Sequence, residues 1–349
     1  MMNNLNPSST NRDEDLTTSI GSQKTYELKV FDENEAYRQL EIIQLILHIR
    51  KFEKKPIYLP HQKKQNIYSI ADKNIHDSLR RIDPHYFEDE TCTSPEVDLF
   101  RKVLKENIML HHLTVSQSDF WIRSHNDAIV LAPNQFMLKA EILNDFCHQL
   151  ACAIASDTNY RKTLQLRQEK SINQNKKTKR LVRKLLTTFR RLLIIKMDFS
   201  IHTDHTVTLE LLKTYLRMFI KKLHAPNDKV PPIVGFVWKL EYSVLKRYHY
   251  HFLFFMDANT FTEDKYFADK LGELWKNITF KKGIYQNFNH DKHPGKNLAI
   301  GILTHDDKEK INSLHIVIDQ ITKTEQFILE KSQINQRTFG YSTRKYATR

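Results

Sequence analysis

Residues 233–256 read IVGFVWKLEYSVLKRYHYHFLFFM, two apolar runs at 233–242 and 248–256 joined by the five residues 243–247. That spacing predicts a β-hairpin. Side chains alternate faces along a strand, so each arm sorts by parity. In the first arm Val234, Phe236, Trp238, Leu240 and Tyr242 are all large and apolar, while the alternate positions hold Gly235, Lys239 and Glu241. In the second arm Tyr248, Tyr250, Phe252 and Phe254 form the bulky face, and His249 and His251 share the other. The bulky face is expected to pack on helices, which leaves the face with Lys239, Glu241, His249 and His251 open. A turn that pairs Tyr242 with Tyr248 sets Glu241 opposite His249 and Lys239 opposite His251, with opposed Cβ atoms about 5 Å apart. A shift of two residues pairs Glu241 with His251 instead, and the cluster survives either way.

Working outward, residues 192–199 (LLIIKMDF) read as a short apolar strand ending near Asp198, and 206–223 as a helix with Leu209, Leu212, Leu216, Phe219 and Leu223 on one face. After the hairpin, 263–278 is helical, 283–288 and 298–303 are strands around a polar loop, and 307 to about 330 is a long final helix. This order predicts an α+β domain with a ferredoxin-like, split β-α-β antiparallel sheet and helices on one face. In that topology the second hairpin arm lies between the first strand and the other arm, so Asp198 meets His249 and His251. Residues 26–170 read as a mostly helical N-terminal region of unassigned role, punctuated by Pro56, Pro60, Pro84, Pro95 and Pro133, with helices over 95–113 and 136–155. Residues 1–25 are polar, without apolar periodicity, and are expected to be a disordered tail. The sheet domain is assigned to 171–341 and a basic tail to 342–349.

Composition bounds the function. The chain has 349 residues, 40% of them hydrophobic, and no run approaches the 18 or so apolar residues of a membrane span, so no membrane partner is expected. Only seven residues are Gly, six of them after position 230 with no two close together. This excludes a Walker A loop and a dinucleotide fingerprint, which need closely spaced glycines to bring backbone amides against phosphate. Cys92, Cys147 and Cys152 contain no CxxC pair, so neither a disulfide framework nor a thiolate zinc finger is supported. With no charged-then-apolar leader, the expected location is the cytoplasm. The 54 Lys and Arg against 41 Asp and Glu give +13, which points to a polyanion such as nucleic acid. Between residues 170 and 197 there are ten cations and no acid. From that stretch Lys176, Lys177, Lys179, Arg180, Arg183, Lys184, Arg190 and Arg191, together with Lys239 of the hairpin, are the expected DNA-binding residues. The alternative for the stretch is an ordinary solvated helix face.

In a chain with 17 histidines a His-x-His triplet arises by chance roughly once, so the triplet alone says little. Its place in an amphipathic hairpin, with Glu241 on the same face and Asp198 brought alongside, makes it a metal-site candidate. Two imidazoles with one or two carboxylates suit Mg²⁺, Mn²⁺ or Zn²⁺ rather than a soft thiolate-binding ion. Such a site keeps open positions where a substrate phosphate can be polarised. His202, Asp204 and His205, and His290 with His293, read as turn residues.

The series VWKLEYSVLKRYHYHFLFF, LLIIKMDFS, LGELWKNITFKKGIYQNFNHDKH, IGILTHDD and RTFG, spanning roughly 180–341, resembles the YagK/YfjJ C-terminal domain family. That family is also described as the inovirus second-gene-product family, found on filamentous phages and prophages. The resemblance implies kinship to HUH replication initiators, in which a His-hydrophobic-His strand holds a divalent metal and a tyrosine in a nearby helix attacks single-stranded DNA. Carried over, His249 and His251 match the two histidines, Tyr250 the position between them and Glu241 the acidic partner one strand earlier. It implies Mg²⁺ or Mn²⁺ as cofactor and single-stranded or origin DNA as partner. In the segment QITKTEQF, Lys323 and Phe327 match the family's lysine and later aromatic, but Gln320 stands where its tyrosine would be, and an amide cannot form a phosphotyrosyl intermediate. The nucleophile then comes from elsewhere, Tyr285 first and Tyr341 second, or metal-activated water cuts, or the domain binds DNA without cutting. The expected function is a replication-initiator-like, metal-dependent nicking endonuclease for single-stranded DNA. The rival is a non-catalytic DNA-binding replication or regulatory protein on the same fold. A third reading, a metal hydrolase of small molecules, lacks further His or Asp motifs.

Overall fold

The computed structural model describes residues 33–51, 55–82, 92–116, 119–205, 207–225, 232–243, 246–290, 299–323, 329–330 and 337–343. The expected tail at 1–25, most of the basic tail at 342–349, His293 and Phe327 lie outside them. The N-terminal region comprises α1 (Glu33–Lys51), a hairpin of β1 (Tyr58–Pro60) and β2 (Tyr68–Ile70), α2 (Lys73–Arg80), β3 (Cys92–Thr93), α3 (Pro95–Glu106) and α4 (Ile108–Ser116). A second hairpin, β4 (Ala128–Ala132) and β5 (Gln135–Leu138), leads into α5 (Lys139–Ser156). Their apolar faces close on one core that includes Phe100, Phe120, Trp121 and Phe146. The helix expected over 95–113 is two helices, because Asn107 serves both: its N–H ends α3 on the Val103 carbonyl at 3.0 Å, and its Oδ1 accepts from the Leu110 N–H at 2.9 Å. The helix expected from 136 starts at Lys139, since Gln135–Leu138 pairs with β4 across a turn that uses Asn134 at φ 66°. Asn tolerates that left-handed backbone better than most residues.

Next comes α6 (Thr158–Phe189), a single helix that runs through the boundary expected at 170. Asp157 caps its start, its side chain accepting from the Tyr160 N–H. The remaining elements are β6 (Arg191–Ile201), α7 (Leu209–His224), β7 (Gly235–Ser243), β8 (Arg247–Asp257), α8 (Asp264–Ile278), β9 (Gly283–Asn287), β10 (Gly301–Thr304), α9 (Lys308–Thr322), β11 (Leu329–Glu330) and β12 (Phe339–Thr343). The main sheet runs β10-β6-β8-β7-β12, with β9 also on β6, and all its pairings are antiparallel. Strands β9 and β10 share one edge of β6, one beside each half. This is the α+β architecture expected, with β8 between β6 and β7. The final helix stops at Thr322 rather than near 330: Lys323 turns extended, and Leu329–Glu330 instead pairs with β3.

The sheet's bulky face packs on α7 and α8 through Phe199, Phe236, Trp238, Phe252 and Phe254 against Leu212, Phe219, Leu271 and Trp275. Helices also reach the second face. Leu192, Ile194, Val237, Leu253 and Phe255 are covered by Leu181, Val182 and Leu185 of α6 and Leu314 and Ile318 of α9. Among the described residues these helices close the apolar end of that face. The polar end, with Asp198, Lys239, Glu241, His249 and His251, is left to build a site. Among the described residues no helix is long and apolar enough to cross a membrane.

Phe199 lies fully buried in the core between the sheet and α7 and α8, its ring 5.2 Å from Phe219 and 5.4 Å from both Phe252 and Trp275 between centroids. Phe199→Ala is expected to lower stability by about 3–5 kcal/mol. A urea-unfolding series checks it, and a change well below that range would mean the core collapses around the gap.

Candidate metal centre

Two strands supply the candidate ligands, and their register fixes which atoms meet. Glu241 lies opposite His249, Lys239 opposite His251, and Asp198 of β6 opposite His251 on the other side. Opposed residues share a sheet face, so all five groups project from the same surface. The pairing of Tyr242 with Tyr248 is the one expected from the hairpin spacing.

Both imidazoles are held from behind. His249 Nδ1 lies 3.0 Å from the Arg247 carbonyl, which fixes Nδ1 as the protonated nitrogen. His251 Nδ1 lies 2.6 Å from Asp198 Oδ1, so it too carries its proton there. Each Nε2 is thereby turned forward, 3.1 Å from the other. Glu241 Oε2 lies 3.1 Å from His251 Nε2. One atom from each of Glu241, His249 and His251 thus falls within 4.8 Å of the others. Nδ1-anchored imidazoles with convergent Nε2 atoms are the arrangement in which a carboxylate orients a metal-binding histidine from behind. The donor set fits a divalent cation of the Mg²⁺, Mn²⁺ or Zn²⁺ kind. Asp198, expected among the ligands, is placed as the group that orients His251 instead, because both of its oxygens are engaged: Oδ2 accepts from Lys246 Nζ at 3.0 Å.

The electrostatics follow from burial and these partners. Burial alone would depress the His251 imidazolium, but Asp198 and Glu241 outweigh it and lift its pKa from 6.5 to about 9. Burial, reinforced by the neighbouring His251, lowers His249. The two carboxyls would rise through burial, yet His251, with Lys246 beside Asp198 and Lys239 beside Glu241, holds both below the usual carboxylate range. Without a metal, a proton on His251 therefore does the work of a cation between two carboxylates.

The other expected site residues separate. Lys239 is not a surface cation: its side chain is 6% exposed, it donates to the Lys323 carbonyl at 2.6 Å, and it stands 3.5 Å from Glu241 Oε1. It neutralises the site rather than reaching out to a phosphate backbone. Through that carbonyl the end of α9 is fixed at the rim, and the Lys323 side chain is exposed there. Gln320 is exposed on α9, off the buried line of Leu314, Ile318 and Ile321. Tyr285 is removed from the site altogether. It pairs with Phe199, which puts it on the α7–α8 face, and its ring lies against Gly272, where an added Cβ would collide with it. A nucleophile there is on the wrong side of the sheet. Lys176, Lys177, Arg180, Arg183, Lys184, Arg190 and Arg191 are exposed along α6 and at the start of β6, whereas Lys179 is paired with Asp319 at 2.6 Å. His290 lies 2.8 Å from Asp269 and His202 3.2 Å from Asp204, and both stand outside the Glu241, His249 and His251 group. Lys246 and Gln286, which meet at 3.2 Å beside Asp198, were not anticipated. Gln286 was reachable only through the β6–β9 register that pairs it with Asp198.

The fold and site together define a class: an α+β protein whose antiparallel sheet carries a His-x-His and glutamate centre at the polar end of one face. Residues 143–342 match the model of the YagK/YfjJ C-terminal domain, and the chain belongs to that family. No curated protein and no solved structure matches it.

In the metal-free protein His251 is expected to titrate near pH 9 by NMR. Its folded-state pKa is raised, so its contribution to stability is complete below the unfolded value of about 6.5 and is lost as pH rises through about 9. Asp198→Asn and Glu241→Gln should each bring the midpoint down. A midpoint at or below 6.5 in the unaltered protein would rule out the ion-paired arrangement.

Proposed function

We propose that this protein is a replication-initiator-like endonuclease of a phage or prophage element, acting in the cytoplasm and cutting single-stranded DNA at the Glu241–His249–His251 centre, a metal site of the HUH type with a different nucleophile. The observation that carries the reading is the convergence of three lone-pair donors whose two imidazoles are anchored at Nδ1. A divalent ion bound there, Mg²⁺ or Mn²⁺, supplies Lewis-acid polarisation of a phosphate oxygen. The chain's own part is to hold and orient. Asp198 keeps His251 in the binding tautomer, Lys239 offsets the charge of Glu241, and the side chain of Lys323 stands at the rim where a phosphate would lie. The exposed cations of α6 draw in the strand and set its salt dependence. With Tyr285 on the other face and Gln320 an amide, water is the nucleophile in this reading. The water oxygen bonds to phosphorus as the bond to one sugar oxygen breaks; the water gives up one proton and the departing sugar oxygen takes one, leaving a phosphate monoester and a free hydroxyl.

Gln320 favours a second reading, a non-catalytic DNA-binding replication or regulatory protein on the same fold. Incubating end-labelled single-stranded DNA from the element's replication region with Mn²⁺ separates the two on a denaturing gel. The endonuclease gives a product that vanishes on chelation and in His251→Ala. DNA that is retained but intact on several substrates would establish the binding protein.

Replacing Lys176, Lys177, Arg180 and Lys184 with Ala should weaken DNA binding and reduce the slope of log K against log salt by about 0.7 for each single-strand phosphate that is no longer neutralised. Lys179→Ala, which removes a cation already paired with Asp319, should change the slope little. Binding titrations at several salt concentrations measure both, and an unchanged slope in the fourfold variant would make this face an ordinary solvated one.

A further inference from the structure

Strand β12 forms the outer edge of the sheet, and a groove runs between it and the middle of α6. Its walls carry Lys170 and Lys177 from α6 and Arg337 from the approach to β12, with Glu169 the one acid among the described residues that line it. Its floor is aromatic: Phe339 is buried beneath it, and Tyr341, 43% exposed, stands 6.1 Å from Phe339 between ring centroids. Arg337 is fixed at the edge, its Nε donating to the Phe339 carbonyl at 2.9 Å and its guanidinium 5.7 Å from the centroid of the Trp238 ring.

The register ties this groove to the metal centre. Phe339 pairs with Lys239 and Tyr341 with Val237, so Tyr341 shares the sheet face of Lys239, Glu241 and the histidines. Along the strands it stands four residues from Glu241, about 13 Å at 3.3 Å per residue. That is too far for its hydroxyl to attack a phosphate held at the centre, which removes Tyr341 as the nucleophile. It is a suitable distance for holding a neighbouring nucleotide of the same strand.

We infer that the α6–β12 groove binds the single-stranded DNA flanking the metal centre, with a base stacked on Tyr341 and phosphates against Lys170, Lys177 and Arg337. An exposed ring among cations is the arrangement that takes unpaired bases without regard to sequence. A duplex, whose bases are already stacked on one another, has no free face to offer it. The inference rests on the reading of the centre as a single-stranded DNA site and adds the surface that carries the strand away from it.

Fluorescence anisotropy with a labelled oligothymidylate in EDTA tests the groove apart from the metal, and calorimetric Mn²⁺ affinity reports whether each variant is folded. Tyr341→Ala should lose about 5- to 150-fold in affinity for the oligothymidylate, the worth of one stacked base, while its Mn²⁺ affinity stays that of the unaltered chain. Tyr341→Phe, which keeps the ring, should recover most of the loss. Unaltered binding in Tyr341→Ala, or equal losses in the Ala and Phe variants, overturns the stacking role and leaves the metal centre's reading standing. If the unaltered chain takes up Mn²⁺ but binds no oligothymidylate, or binds a duplex of the same length as tightly, the single-stranded DNA reading fails, and the groove's role with it.

Discussion

The 2.6 Å hydrogen bond between His251 and Asp198 joins the two central strands at the polar end of the sheet, and the centre's geometry depends on it. Asp198 is buried on β6 and His251 lies across the ladder on β8. An isolated carboxylate there would be costly, and an isolated imidazolium equally so. Paired, they fix the tautomer of His251, turn its Nε2 toward Glu241 and His249, and set a charge balance in which Lys239 and Lys246 also take part. Removing any one charge leaves the rest uncompensated in a place with little water. The group is therefore organised by electrostatic necessity before any ligand arrives.

That necessity also explains the division of the sheet's second face. Leu192, Ile194, Val237, Leu253 and Phe255 at one end are covered by α6 and α9, and polar groups occupy the other end. An ordered polar cluster at the end of an otherwise apolar face stands against walls of low dielectric. Charges in such a place interact more strongly than in water, which is why a single proton on His251 can matter to the whole group.

Much of this was legible in the sequence because it follows from alternation. The parity of residues 233–256 placed Glu241, His249 and His251 on one face, and the strand order brought Asp198 to them. Both conclusions need only the period of two and a topological rule. What the sequence withheld depends on how strands slide past one another or on what lies above them. Tyr285 differs from Gln286 by one position, and the β6–β9 register alone decides that Gln286 faces the centre while Tyr285 faces α8. Lys239 read as a surface cation because local sequence does not reveal that the carbonyl of Lys323 would come down on it. One signal was present and unread. The runs LLII and FLFF are apolar at both parities, and a strand that is apolar on both sides is covered on both sides.

Helix α6 has a consequence of a mechanical kind. Tyr160 near its start is buried in the N-terminal core, and Leu181, Val182, Leu185 and Leu186 near its end belong to the core beneath the sheet, so 32 residues, about 48 Å of helix, are clamped at both ends. A rod held in this way acts as a strut: neither core can turn about it without unpacking its own grip. The family match begins at residue 143, inside α5, ahead of the strut's first turn. The unit common to the family thus includes the beam as well as the sheet it supports, and a fragment cut at residue 170 would sever that beam in mid-span.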